Sequence, residues 1–349
     1  MTRRTFLAAA AGPPPTYPLY RAKGSHRELG RQHGEQASAK VAAHVDYMMS
    51  SGGMSRAVLH ARAMKFLPLF ERHCPHLADE MRGLGEGARV PFAEALACNI
   101  RGEITRAPEG GCTAYAIRGR SIIAGQNSDM TPEIPPLGYV LHLAPIGKPD
   151  VMMWTFGGMI GYHGINSAGV GHFANALGGG PEGRFAMPHY PVKRMMLECA
   201  NLDQVTDLLR RIPLASNGNY VLCDSERVLD IEATTSGPEL LPDGGTGYVV
   251  HTNHFVCSRY SRRENHAQSW KDSFPRLARI DSLIADRRGA VSIDDVKKFL
   301  SDHDGHPTSI CRHDGASVTV ASIIAEPARR RMHVAVGNPC ANRYATYSI

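Results

Sequence analysis

The stretch Gly110-Gly111-Cys112-Thr113-Ala114-Tyr115 sets a thiol directly behind a glycine pair and at the head of a run of strand formers. A cut between Gly111 and Cys112 would leave a thiol and a free α-amine on one residue. An amine of ordinary pKa, about 8, can then act as that thiol's own base. The chemistry this offers is attack of Cys112 Sγ on an amide carbonyl. Taken alone, the same six residues also describe a small buried thiol at a strand start, so the reading rests on what else the chain brings to Cys112.

Three further segments could supply the rest. Gly125-Gln126-Asn127-Ser128-Asp129 lies one hairpin beyond Cys112, so strand pairing returns Asp129 to it, where a carboxylate can hold the amine or thiol; the alternative is a turn-capping Asp. Gly161 to Gly169 contains Asn166 in a tight turn whose backbone N–H groups could face an oxyanion, or could simply close a hairpin. In His251-Thr252-Asn253-His254-Phe255, at a strand end, the Asn253 amide can aim a preorganised donor at an acyl oxygen, with His251 a neighbouring pocket candidate. The two histidines three apart suggest a metal, but at strand spacing they point to opposite faces and no third ligand matches. Asp302-His303-Asp304-Gly305-His306 reads as a solvated polar loop, and Gly178-Gly179-Gly180 fits no phosphate loop. Neither metal nor cofactor is expected.

These residues need a scaffold. From Gly24 to about Asn99 the apolar spacing is helical: Leu29, His33, Gln36, Val41, Val45 and Met48/Met49, then Ala57–Phe70, His76–Leu84 and Phe92–Ile100. After Cys112 the period shortens to strands at 113–117, 121–125, 139–144, 151–156, 161–165 and 170–173. Helices at 192–200 and 203–211 follow, strands at 219–224, 228–233 and 248–252, helices at about 273–285 and from the Ser292 cap, then strands at 317–325 and 331–336. Strands, helices, strands, helices, strands predict a layered fold with antiparallel sheets, not an alternating doubly wound one.

Composition bounds the partners. With 349 residues, 43% of them hydrophobic, the chain can bury a full core. The net charge of +6 is scattered apart from Arg329-Arg330-Arg331, too short for a nucleic-acid stripe. Eight cysteines stand far apart with no Cys-x-x-Cys pair, so neither a zinc ribbon nor a small disulfide framework is suggested. No apolar run reaches the roughly 20 residues of a membrane span. Thr2-Arg3-Arg4-Thr5-Phe6-Leu7 looks like a twin-arginine signal, but its apolar region ends too soon, so residues 1–18 read as a flexible leader or a degenerate signal and the protein as cytoplasmic, with export the alternative.

In order along the chain, Gly30-x-x-His33-Gly34, Gly111-Cys112-Thr113-x-Tyr115, Gly125-Gln126-Asn127-x-Asp129, Gly164-x-Asn166-Ser167-Ala168-Gly169-Val170, His251-Thr252-Asn253-His254 and Ser309-Ile310-Cys311-Arg312 together resemble the acyl-coenzyme A:6-aminopenicillanic acid acyltransferase family of self-cleaving Ntn hydrolases, over roughly residues 24–340. The resemblance implies an α+β fold, a four-layer αββα sandwich with an N-terminal helical segment. It implies autocleavage of one precursor between Gly111 and Cys112 into an α chain (19–111) and a β chain (112–349) that together make one domain. It implies Cys112 as nucleophile, Asp129 in processing and catalysis, and Asn253 on the oxyanion; Arg312 joins Asn166 and His251 as an oxyanion or pocket candidate. Departures at His313-Asp314-Gly315-Ala316 and Ala233-Thr234 leave the substrate, and any use of coenzyme A thioesters, open. The expected partner is a small-molecule amide, hydrolysed through a Cys112 acyl-enzyme; no nucleic acid and no membrane is expected, and homo-oligomerisation is left open. Transfer of the acyl group to an amine acceptor is the enzymatic alternative, and an uncleaved binding protein with a structural Cys112 the non-enzymatic one.

Overall fold

A computed structural model describes residues 15–105, 110–261, 271–287 and 290–349. Its helices are α1 (His26–Ser51), α2 (Arg56–Met64), α3 (Leu67–His73), α4 (Pro75–Ala88), α5 (Phe92–Cys98), α6 (Arg101–Thr105), α7 (His189–Met196), α8 (Leu202–Arg211), α9 (Ser273–Ala285) and α10 (Ile293–Leu300). Its strands are β1 (Leu19–Gly24), β2 (Cys112–Arg118), β3 (Ile122–Met130), β4 (Gly138–Pro145), β5 (Val151–Phe156), β6 (His163–Asn166), β7 (Gly171–Ala176), β8 (Gly218–Cys223), β9 (Val228–Thr234), β10 (Gly237–Pro242), β11 (Tyr248–His251), β12 (Val318–Glu326), β13 (Arg331–Val336) and β14 (Ala345–Ser348).

The strands form an eight-stranded sheet, β1-β4-β5-β6-β7-β8-β9-β10, and a six-stranded sheet, β11-β2-β3-β12-β13-β14. Only β1 with β4 is parallel among these pairs. Three apolar layers separate four layers of structure. Leu29, Val41, Leu84 and Leu96 of the N-terminal helices pack with Tyr139, Leu141 and Met153 of the larger sheet. Trp154, Phe156 and Phe173 of that sheet meet Ala114, Ala124 and Ile323 of the smaller one. Tyr115, Ile117 and Ile324 on the outer face of the smaller sheet are covered by Ile280, Ile284 and Phe299 of α9 and α10. The chain is thus an α+β protein with the αββα layering.

Glycine sets the pitch of the helical layer. A Cβ on Gly30 would lie 1.8 Å from Glu80 O, and one on Gly87 would lie 2.0 Å from Arg31 O, so α1 and α4 touch backbone to backbone. His33, in the same motif, bonds Tyr139 Oη through Nε2 at 2.7 Å and pins α1 to the larger sheet. The Gly30-x-x-His33-Gly34 motif therefore serves packing.

Three readings change. The end of the stretch read as a flexible leader is anchored: Tyr17 is buried and its hydroxyl donates to Val320 O at 2.8 Å, while Pro15, Thr16 and Pro18 beside it are exposed. The rest of the leader, 1–14, lies outside the described residues. The segment read as wholly helical opens on the strand β1. And β3 runs on through Gln126-Asn127-Ser128-Asp129, whose composition suggests a turn, because both faces of the strand are covered and each polar side chain has a partner. No helix among the described residues is long and apolar enough to cross a membrane.

Burial in these layers has a consequence for acid stability. It pulls His33 down to about 4, His44 and His172 to about 3, and His163 well below its ordinary value. It pushes Asp129 and Asp230 up to about 6. Between pH 6.5 and about 4 the unfolded chain takes protons on histidines that the folded chain refuses, which costs stability as pH falls. The two carboxylates act oppositely: their contribution is present in acid and lost as pH rises through about 6. Four groups outweigh two, a net of about two protons, so unfolding free energy should fall by on the order of 2 kcal/mol per pH unit between pH 6 and 4. Urea midpoints at pH 7, 5.5 and 4.5 measure this; a midpoint that holds or rises in acid would contradict it.

Candidate active site

Cys112 opens β2, and the β2–β3 register pairs it with Ser128, which sets Asp129 opposite Gly111. Neither Gly110 nor Gly111 has a left-handed φ; what they supply is space. A Cβ on Gly110 would lie 1.6 Å from Asp129 O, and one on Gly111 would lie 2.7 Å from Arg312 Nη1 and 3.2 Å from Asp129 Oδ2.

The Gly111–Cys112 peptide is held at each polar atom. Gly111 O accepts from Asp129 N–H at 2.8 Å. Cys112 N–H donates to Asn253 Oδ1 at 3.0 Å, and Cys112 O accepts from Arg276 Nη1 at 2.7 Å. Arg276, buried on α9, also reaches Thr113 Oγ1 at 3.1 Å, Asn253 Oδ1 at 2.8 Å and Asp272 Oδ2 at 3.1 Å. Arg312 Nη2 meets the same Asp272 Oδ2 at 2.7 Å. Two guanidiniums and two carboxylates, Asp129 and Asp272, thus surround this one peptide, and the charges balance.

Asp129 Oδ1 accepts from Thr319 Oγ1 at 2.7 Å, whereas its Oδ2 is buried with no partner. Burial pushes its carboxyl up to about 6 although Arg276 and Arg312 pull the other way. Burial, with the Asp129 charge, likewise pushes the Cys112 thiol up to about 12; the Asp129 N–H and the charges of Lys193 and Arg276 oppose this. In the uncut chain the thiol is therefore protonated at neutral pH and needs a base beside it.

Asn253 spans the two sheets. Its N–H donates to Ser273 Oγ at 2.6 Å, and its Nδ2 donates to Ala176 O, the last residue of β7, at 3.1 Å. Gln126 makes a second bridge, its Oε1 accepting from Ala174 N–H at 2.9 Å. Cys112 forms part of the wall of a small cavity of about 70 Å³ together with Met130, Tyr162, Asn175, Lys193 and Asn219 among others. Lys193 Nζ lies 4.8 Å from the Tyr162 ring centroid and 5.0 Å from that of Tyr190. Asn175 and Asn219 each leave Oδ1 buried without a partner. The wall is polar and aromatic, sized for a small group. A larger groove of about 600 Å³, between α8 and the β9–β10 edge, holds none of these residues.

Cys112, Gly111, Asp129, Asn253 and Arg312 are brought together. Asn166 is not. Its Oδ1 accepts from Ala168 and Val170 N–H, and its Nδ2 donates to Leu197 O and Cys199 O, so the whole amide is spent on its own turn and the end of α7. His251 is also outside the cavity: its Nε2 bonds Glu232 Oε1 at 3.1 Å and its Nδ1 Thr252 O at 2.9 Å. Against its burial, Asp230 and Glu232 hold that imidazole above the ordinary range. Arg276 was missed by sequence reasoning, although one signal was present: it shares the buried i, i+4, i+8 stripe of α9 with Ile280 and Ile284, where a charge must have a partner.

The family described as Acyl-coenzyme A:6-aminopenicillanic acid acyl-transferase matches residues 118–341. The acyl-coenzyme A:6-aminopenicillanic-acid-acyltransferase 40 kDa form of Emericella nidulans is 25% identical over 333 residues, which cover 91% of this chain and 92% of that protein. Among solved structures, penicillin V acylase from Agrobacterium tumefaciens aligns at TM-score 0.46 and 10% identity, over 64% of this chain and 83% of that one. A mutant conjugated bile acid hydrolase from Clostridium perfringens aligns at TM-score 0.42 and 10% identity, over 68% and 97% respectively.

Proposed function

Because the chain belongs to the acyl-coenzyme A:6-aminopenicillanic acid acyl-transferase family, an enzyme family acting on amide bonds, we propose that it is a self-cleaving amidohydrolase whose nucleophile is Cys112. The observation that carries this reading is the clamp on the Gly111–Cys112 peptide: carbonyl oxygen on the Asp129 N–H, nitrogen on Asn253 Oδ1.

In self-cleavage, Cys112 Sγ adds to the Gly111 carbonyl carbon, and charge gathers on the oxygen already bonded to the Asp129 N–H. Asp129 Oδ2 takes the thiol proton and returns it to the departing Cys112 nitrogen. The C–N bond breaks and a thioester forms between Gly111 and Sγ. Water then cleaves it, leaving a Gly111 carboxylate and a Cys112 with free thiol and amine.

In turnover the same thiol attacks the substrate amide, and the new α-amine accepts its proton and passes it to the leaving amine. Asn253 Nδ2, whose second hydrogen is not used on Ala176, faces the oxyanion together with a backbone N–H. Water resolves the acyl-enzyme. The substrate is a small N-acyl amide, in keeping with the size of the cavity. Transfer of the acyl group to an amine is the second reading, favoured by the acyltransferase of Emericella nidulans that aligns over nearly the whole chain; the two share one intermediate.

Purified protein should separate into pieces of about 12 and about 26 kDa by proportion to length, the larger beginning Cys-Thr-Ala-Tyr. A panel of N-acyl amides, with and without an added amine, then distinguishes release of acid from transfer. A single uncut chain that is active would end this reading.

A further inference from the structure

We infer that His303, Cys311, His313 and Cys340 form a structural zinc site. Their ligand atoms all lie within 4.8 Å of one another. Cys311 Sγ and Cys340 Sγ are 3.7 Å apart, His303 Nε2 and His313 Nε2 2.9 Å, His313 Nε2 and Cys340 Sγ 3.1 Å, and Cys311 Sγ and His313 Nε2 3.6 Å. With Zn–S about 2.3 Å and Zn–N about 2.0 Å, a tetrahedron has edges of about 3.8 Å for S···S, about 3.3 Å for N···N and about 3.5 Å for S···N. These four of the six edges fall within about half an ångström of that set, and the two from His303 to the sulfurs lie within 4.8 Å.

Two thiolates and two imidazoles as a donor set select zinc over magnesium, calcium or manganese. Four protein ligands leave no open position, which marks a structural site and not a hydrolytic one. On binding, both thiols give up their protons and both imidazoles are neutral. A disulfide between the cysteines would require the sulfurs to close to about 2.05 Å and would leave the two converging histidines without a role. Asn338 Nδ2 donates to Cys311 Sγ at 3.5 Å and to Arg312 O at 2.5 Å, an outer bond of the kind that steadies a metal thiolate.

The site ties two separate segments: the loop after α10, carrying His303, Cys311 and His313, and the β13–β14 turn, carrying Cys340. The residue after Cys311 is Arg312, whose N–H donates to Thr319 Oγ1 at 2.9 Å and whose guanidinium meets Asp272 beside the Gly111–Cys112 peptide. Zinc thus holds the backbone from which Arg312 reaches the active site. The ligand spacing, with intervals of eight, two and twenty-seven positions, follows no finger or ribbon motif. The 302–306 segment read as a solvated loop, and the expectation of no metal, are revised accordingly.

The test uses the untagged full chain, grown with zinc and desalted without chelator, with metal measured by inductively coupled plasma mass spectrometry. About one zinc per chain is expected for the wild type and for Cys112→Ala, and at least a tenfold lower content for Cys340→Ser and for His303→Ala. Cobalt exchanged into wild-type protein should give the visible bands of a tetrahedral ion with thiolate charge transfer, which needs no variant to fold. Wild-type protein with under about a tenth of an equivalent of zinc and an octahedral cobalt spectrum would overturn the site. So would peptide mapping that finds Cys311 and Cys340 joined as a disulfide.

Discussion

Cys112→Ala should yield one uncut, folded and inert polypeptide. In the proposed mechanism the same sulfur attacks Gly111 and then substrate, so its removal should abolish processing and turnover together and drop activity to the uncatalysed background. Folding should survive. A buried sulfur replaced by hydrogen costs on the order of 1 kcal/mol, small against the stability of a core this size. Cys74→Ala provides the contrast. Its thiol is buried in the helical layer, pushed up to about 12 by burial, and chemically idle, so that variant should cut and turn over normally. Gel analysis and amine release settle both; a Cys112→Ala chain that is cut would mean an outside protease makes the break.

Asn253→Ala should have the next largest effect, and the structure enlarges it. An oxyanion donor lost from a preorganised site lowers kcat by about 10²–10³ while KM changes little. Sequence alone gave Asn253 that role and no part in self-cleavage. Its Oδ1, however, accepts from both Cys112 N–H and Arg276 Nη2 in the uncut chain. Deleting it frees the leaving nitrogen and unpairs one edge of a buried guanidinium, so uncut precursor should accumulate as well. Asn253→Asp separates the two effects: it keeps an acceptor for Cys112 N–H and Arg276 but replaces the Nδ2 donor by an oxygen. That variant should mature better than Asn253→Ala and still turn over slowly. A matured Asn253→Ala enzyme with near wild-type kcat would remove the oxyanion role.

Much of the architecture was legible because it rests on short-range interactions. The helical stripe of α1, the Ser292 cap that opens α10, the short apolar run of β5 and the alternating run of β13 are encoded within a few residues. Edge elements were not: β10, with Pro238 and Pro242 and little burial, lacks an alternating pattern and exists because β9 offers it a ladder.

At the site the division is similar. Sequence by itself marked Cys112 as the candidate nucleophile and the Gly111–Cys112 bond as the candidate cut point and, through one hairpin, brought Asp129 beside them, since β2 and β3 are neighbours and their register follows from local pairing. Tertiary structure alone decided the rest. It set Arg276 and its partner Asp272, more than 150 residues beyond Cys112 in the sequence, beside the Gly111–Cys112 peptide, turned Asn166 into a turn brace and His251 into a partner of Glu232, and gathered four metal-type ligands from two segments. Those outcomes depend on which strands share a sheet and how the sheets stack. That choice is made by burial summed over the whole chain, a quantity that no local pattern of residues contains.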